Sequence, residues 1–169
     1  MHLHLVLTLA IALAVAVVKA NKCESGWAEF KEDCIYIGHD RTSWDDAEKR
    51  CRDRGAWLLS DDNEEKHDFL TTLLNVFYNW HYERFFIGGS DYYFEGQFRW
   101  VETGAHVGPF SRWAAGQPQL NNTRNCLMLE WEGNELVWSD QVCRPREYTY
   151  YICEKLGNVT VAPDNGIIG

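Results

Sequence analysis

Six cysteines, all downstream of residue 22, constrain this chain of 169 residues more than any other feature. An even number of thiols reads as a disulfide framework if the compartment is oxidising, and the compartment is legible at the N-terminus. Leu3 to Val18 is almost continuously apolar, and Leu5 to Val18 is a run of 14 residues with Thr8 as its only polar member. A membrane-spanning helix needs about 20 residues, so residues 1–20 read as a signal peptide cleaved after Ala20. Its opening, Met-His-Leu-His, carries no Lys or Arg, and an uncleaved anchor is the alternative reading. The expected product is a secreted, extracellular protein with one domain over residues 21–155 and a short tail over 156–169. No later segment has the length or apolarity of a membrane span, and the tail is too polar for a lipid-anchor signal.

All six cysteines survive this cleavage, and spacing alone leaves every pairing open. Charge narrows the partners. The chain has 16 Lys plus Arg against 25 Asp plus Glu, and loss of residues 1–20 moves the formal charge from −9 to −10. Phosphate contacts need a surplus of basic residues, so a nucleic-acid partner is excluded. Aromatic residues make up 14% of the chain, too many for a disordered segment.

Two helices are predicted. Ser43-Trp44-Asp45-Asp46 has a hydroxyl at the cap and a carboxylate three residues on. Trp44, Ala47 and Cys51 then share one face, and Gly55 stops the helix. A second helix starts near Asp61-Asp62-Asn63, where acidic side chains suit the positive end of the dipole. Its apolar stripe is Phe69, Leu70, Leu73 and Leu74. Beyond Phe85 the pattern shortens into strands at 85–88, 98–101, 126–129, 136–138 and 150–153, with a turn at Glu132-Gly133-Asn134 making one hairpin. Residues 102–125 lack periodicity and contain Gly104, Gly108, Pro109, Gly116 and Pro118. A loop of that length in a small domain is usually functional or disordered. Helices followed by strands give an α+β class.

In this order the residues resemble the C-type lectin-like domain. The match runs from Cys23 to Glu154. Its carriers are Cys23, Trp27, Phe30 and Cys34-Ile35-Tyr36, then Trp44, Ala47 and Cys51, then Phe86-Ile87-Gly88-Gly89. They continue with Asp91, Glu95-Gly96-Gln97-Phe98-Arg99-Trp100, Trp113, Gly116-Gln117-Pro118, Cys126, Trp138-Ser139-Asp140, Cys143 and Tyr151-Ile152-Cys153-Glu154. The Glu-Gly-Gln-Phe-Arg-Trp and Gly-Gln-Pro stretches are similar to those of small secreted invertebrate lectins of the perlucin-like kind. The resemblance implies a C-type lectin-like fold of two helices and two small antiparallel sheets, with a long binding loop. It also implies three disulfides, Cys23–Cys34, Cys51–Cys153 and Cys126–Cys143, and a cis peptide before Pro118.

In sugar-binding members, calcium bridges the long loop and two sugar hydroxyls. The positions that correspond here are Gln117, Gln119, Arg124, Ser139 and Asp140. Calcium takes six to eight oxygens, charged carboxylates among them. The usual mannose-type set carries three negative charges. Here Asp140 and Arg124 sum to zero, so the resemblance implies a weakened or absent calcium site with Asp140 as its one clear ligand. Gln117 with Pro118 leans toward the galactose type, although Gln119 is uncharged where an Asp belongs. Asn121, Asn122 or Glu130 are the alternatives for a shifted site. Asp91 and Glu95 stand where a second, structural calcium would bind, with Leu120, Arg124 and Asn125 in place of its other ligands. A solvated Asp and a turn-supporting Glu are the plainer reading of that pair.

Sequons at Asn121-Asn122-Thr123 and Asn158-Val159-Thr160 are candidate glycosylation sites, the first inside the binding loop. The aromatic-rich stretch from Phe77 to Phe94 reads mostly as core, with Tyr92 and Tyr93 the best exposed candidates because they precede a turn. The four histidines at 39, 67, 81 and 106 lack metal-ligand spacing, and no His-Glu-x-x-His, nucleophile elbow or phosphate loop occurs, so no enzyme is expected. The carbohydrate-binding residues expected are Gln117, Gln119, Ser139 and Asp140. Expected partners are glycans or glycoproteins, with the protein a monomer or non-covalent dimer in mucus, defence or matrix. The competing reading is an acidic matrix protein that meets calcium carbonate and binds no sugar.

Overall fold

A computed structural model describes residues 22–77, 83–119, 122–145 and 149–158. The proposed signal peptide, Leu120, Asn121 and most of the tail lie outside the described residues. The chain opens with a hairpin, β1 (Ala28–Phe30) and β2 (Asp33–Ile37), turning at Lys31 and Glu32. The sequence reading placed helices first and strands only beyond Phe85. The resemblance implies an N-terminal hairpin at Cys23–Cys34, and this is that hairpin; periodicity alone does not report it, because three residues of β1 are too few to show alternation.

Helix α1 (Trp44–Arg52) forms as expected. The Ser43 hydroxyl accepts the Asp46 N–H at 3.3 Å, and Trp44, Ala47 and Cys51 are buried. A two-residue strand β3 (Trp57–Leu58) follows, unanticipated. Helix α2 (Glu64–Thr72) starts at Asn63, whose side-chain oxygen accepts the Lys66 N–H at 2.9 Å. Its stripe continues through one stretch of π geometry, Leu73–Phe77, and Leu70, Leu73 and Leu74 are buried with Phe69 packed beside them.

The remaining strands are β4 (Phe85–Ser90), β5 (Arg99–Trp100), β6 (Cys126–Glu132), β7 (Glu135–Gln141) and β8 (Tyr150–Leu156). Two antiparallel sets are present. One places β8 between β2 and β3, and the other runs β5, β4, β6, β7. A parallel pairing of Phe85 with Tyr150 and Phe86 with Tyr151 joins them through β8. Strand β8 is therefore the seam of the molecule, and four of its seven residues are buried.

The three disulfides are Cys23–Cys34, Cys51–Cys153 and Cys126–Cys143. The second joins α1 to β8 across a separation of 102 residues. Closing a loop of that length stabilises the fold by about 4–5 kcal/mol in the chain-entropy view. Over this frame Trp138 is wholly buried, with Trp100, Phe110 and Trp113 edge-on to it at centroid distances of 5.6 to 5.9 Å.

Candidate functional site

The long loop lies over β7, and backbone hydrogen bonds fix it there. Trp138 N–H donates to Arg112 O at 2.7 Å and Ala114 N–H to Trp138 O at 2.9 Å. Trp113 and Phe110 sit as rings on the Trp138 indole, and Arg112 pairs with Glu64 on α2 at 2.8 Å. The Gln117–Pro118 peptide is cis, as the resemblance implied, and so is Gly108–Pro109.

Asp140 sits at the centre of the predicted site on β7, next to the buried Ser139, and is itself inaccessible to solvent. Its Oδ2 accepts the backbone N–H of Gln119 at 2.9 Å. Its Oδ1 faces Arg124 Nε at 3.4 Å, and Arg124 Nη2 donates to the Asp140 carbonyl at 2.5 Å. A buried carboxylate needs a partner, and here the partner is the guanidinium of Arg124, five residues after Gln119 on the same loop. The structure thus brings Gln119, Arg124, Ser139 and Asp140 together. The side chain of Gln119 is exposed. Gln117 Oε1 and Ser139 Oγ are buried without a hydrogen-bond partner among the described residues.

Asp91 and Glu95 occupy the turn after β4. Asp91 is 2% exposed, with Oδ2 accepting the Gly96 N–H at 2.9 Å, while Oδ1 and the neighbouring Asn125 Oδ1 have no partner among the described residues. Burial first, and the charge of Asp140 after it, hold the Asp91 carboxyl above its ordinary pKa despite the Gly96 hydrogen bond. Glu95 is displaced the same way, by desolvation and then by Asp91 and Asp140. The three carboxylates therefore feel one another. Even so, no group of three or more His, Cys, Asp or Glu converges as a metal cage among the described residues.

The donor set fits a conventional calcium site at Asp140 poorly. Both carboxylate oxygens are engaged, and Arg124 brings a positive charge where the ion's own charge would have to sit. Of the glycosylation candidates, Asn121 and Thr160 are outside the described residues. Asn158 is exposed, with its N–H on the Lys22 carbonyl at 2.9 Å.

Two buried polar networks escaped the sequence reading. The sequence places Asp61 at a helix start, where a carboxylate suits the dipole. It is instead wholly buried and accepts from Trp138 Nε1 at 2.7 Å, with His67 Nδ1 at the same distance. His67 Nε2 meets the Leu136 carbonyl at 3.0 Å, so this network braces β7 beneath the loop. Lys66 donates to Glu154 at 2.9 Å and to the Ser60 carbonyl at 3.0 Å, with both side chains nearly inaccessible. The only available signals were the Asp61, His67 spacing and the Glu154 carboxylate that follows the apolar run Tyr150–Cys153 of β8.

The architecture is a small disulfide-stapled sheet carrying one long loop. The chain belongs to the C-type lectin domain family, whose Lectin C-type domain model matches residues 40–155. It is 29% identical over 131 residues to a perlucin-like protein of Mytilus galloprovincialis, covering 78% of this chain and 81% of that one. It is 30% identical over 138 residues to human C-type lectin domain family 10 member A, covering 78% of this chain and 40% of that protein. Among solved structures, the cow C-type carbohydrate-recognition domain of CD23, in the presence of a GlcNAc2Man3 oligosaccharide, is similar at a TM-score of 0.65 and 27% identity. The likeness covers 80% of this chain and 97% of that one.

Proposed function

We propose that the protein is a secreted carbohydrate-binding lectin whose long loop engages a glycan with weak or absent calcium dependence. The observation that carries this reading is Asp140, buried and held by Gln119 N–H and Arg124. A guanidinium within the loop supplies the positive charge that otherwise a cation would supply, so the loop keeps its shape unaided. Gln119, exposed after Pro118, then offers an amide donor and acceptor to sugar hydroxyls, and Gln117, whose Oε1 is buried, offers its amide NH2, in the galactose-type arrangement of the Gln-Pro pair. The likeness to a carbohydrate-recognition domain in the presence of an oligosaccharide supports a glycan as ligand. No helix among the described residues is long and apolar enough to cross a membrane, and three disulfides suit an oxidising, extracellular setting.

A glycan-binding assay with and without EDTA tests it. Binding should survive EDTA and fall about tenfold in a Gln117→Ala, Gln119→Ala variant. Binding that both EDTA and Asp140→Ala abolish would establish a working calcium site and sink the proposal. Adsorption to calcium carbonate with no glycan bound would favour the acidic matrix reading.

A further inference from the structure

Few large hydrophobic side chains are left exposed among the described residues, and three of them are consecutive. Tyr92, Tyr93 and Phe94 are 67%, 86% and 55% exposed. Exposed aromatic clusters on a single-domain protein mark interaction sites more often than accidents. Hydrogen bonds define the turn that carries them. Phe94 N–H donates to Asp91 O at 2.9 Å, Gln97 N–H to Phe94 O at 2.8 Å, and Tyr92 N–H to the Ser90 hydroxyl at 3.2 Å. Tyr92 and Tyr93 stand edge-to-face at 5.3 Å, and the Arg99 guanidinium lies 5.1 Å from the Phe94 ring centre. The rings thus stand together on a hydrogen-bonded turn, in contact with one another and with Arg99.

These rings form one wall of a cleft of about 910 Å³ whose other wall is α1. Small-molecule sites occupy roughly 300–1,000 Å³. Trp44 and Trp100 line its interior, and none of Gln117, Gln119, Ser139 or Asp140 reaches it. On the α1 side the charged groups come as matched pairs, Asp45 with Arg144 at 2.6 Å and Glu48 with Arg52 at 2.6 Å. Arg99, the remaining charged residue, is bound to the Gly104 carbonyl and to His106 Nε2 at 2.9 Å each. Paired carboxylates and guanidinia give planar acceptors and donors side by side, with their charges compensated. Aromatic faces carry negative quadrupole density that attracts polarised C–H groups.

We infer that the cleft between the Tyr92–Phe94 turn and α1 is a second saccharide site, distinct from the long loop and needing no cation. It takes a neutral sugar ring, stacked on Tyr92 or Tyr93 with its hydroxyls shared between the two ion pairs. The lining sums to +1, from two carboxylates and three guanidinia; four of these are spent in the two ion pairs and Arg99 is already bound to Gly104 and His106, so the lining offers hydrogen-bonding groups to an uncharged hydroxyl-rich ligand. The site is independent of the loop reading, so each stands or falls separately.

Calorimetric titration in EDTA with galactose-, mannose- and N-acetylglucosamine-terminated neutral oligosaccharides tests it, alongside sulfated and uronic-acid oligosaccharides. Tyr92→Ala with Tyr93→Ala removes the rings from a solvent-facing turn, and thermal unfolding checks that the fold is kept. Glu48→Gln, which disturbs one pair without touching the rings, is the second variant. Binding of a neutral oligosaccharide that drops about tenfold or more in the tyrosine variant and measurably in Glu48→Gln supports the site. The same binding retained in Gln117→Ala, Gln119→Ala separates it from the loop. Neutral binding unchanged by loss of both tyrosines, binding of charged oligosaccharides alone, or no binding at all would overturn it. Loss confined to the glutamine variant would also overturn it, while leaving the loop proposal standing.

Discussion

At the scale of single residues, Asp91 shows how burial changes the meaning of a side chain. As a letter it reads equally as a calcium ligand or a solvated turn residue. In the fold it is almost inaccessible, with one oxygen on Gly96 N–H and the other unpaired among the described residues. Its folded pKa lies above the ordinary 3.8, so the folded state holds the proton more tightly than the unfolded chain does. Stability must then fall as pH rises from 3.8 through the folded value, and the full cost is present above it. Asp91→Asn keeps the acceptor for Gly96 and removes the charge. In EDTA it should unfold at a higher temperature than the wild type near neutral pH, with the gap closing below about pH 4. A lower unfolding temperature at neutral pH would mean that the carboxylate is stabilised by something the protein itself does not supply.

At the scale of elements, β8 carries the consequence of burying a charged pair at a seam. Glu154 accepts from Lys66 Nζ, from Trp57 Nε1 at 3.0 Å and from the Ser60 N–H at 3.2 Å, thereby tying α2, β3 and β8 together. Burial opposes the Lys66 ammonium, but Glu154, then Asp62 and Asp33, outweigh it and raise its pKa. This contribution is therefore present below 10.5 and lost as pH rises through the folded value. Glu154→Gln should cost about 3–5 kcal/mol by chemical denaturation, because it leaves Lys66 buried without its main counter-charge. Lys66→Met combined with Glu154→Leu should cost much less than either change alone. Additive losses in that cycle would show that the two residues act separately. Both helices were legible beforehand, since Ser43 with Asp46 and the Leu70, Leu73, Leu74 stripe are local patterns. The β6–β7 hairpin was legible from Gly133 and its flanking apolar runs. The hairpin β1–β2 was legible only through the resemblance, at Cys23–Cys34, and strand β3 was not, because two- and three-residue strands are defined by their partners, β2 for β1 and β8 for β3, rather than by their own alternation. The Lys66–Glu154 pair spans 88 residues, and no local pattern reports a contact of that reach.

At the scale of the whole molecule, the acidic balance of the chain and the neutrality of its loop are one design. Asp91, Glu95 and Asp140 lie within electrostatic reach of one another, and Arg124 is the counter-charge that lets Asp140 be buried among them. The family resemblance made the loss of loop charge visible at Gln117, Gln119 and Arg124. What it left illegible was the replacement contact, because only the folded loop sets Arg124 against a residue of β7. If the guanidinium holds the loop, reversing its sign should make the loop depend on a cation. Arg124→Glu takes the Arg124 and Asp140 pair from a sum of zero to −2, beside Asp91 and Glu95. Like charges in a partly buried site repel by amounts that a divalent ion can offset. The variant should unfold several degrees below the wild type in EDTA, roughly 2–8 °C for a loss of 1–2 kcal/mol in a domain of this size. Millimolar calcium should restore much of that loss while leaving the wild-type unfolding temperature unmoved, as differential scanning calorimetry would show. A wild-type transition that itself rises with calcium would mean that an ion already shares the loop with Arg124. An Arg124→Glu variant indifferent to EDTA and as stable as the wild type would mean that the loop is held by Trp113 and its backbone bonds to Trp138 instead.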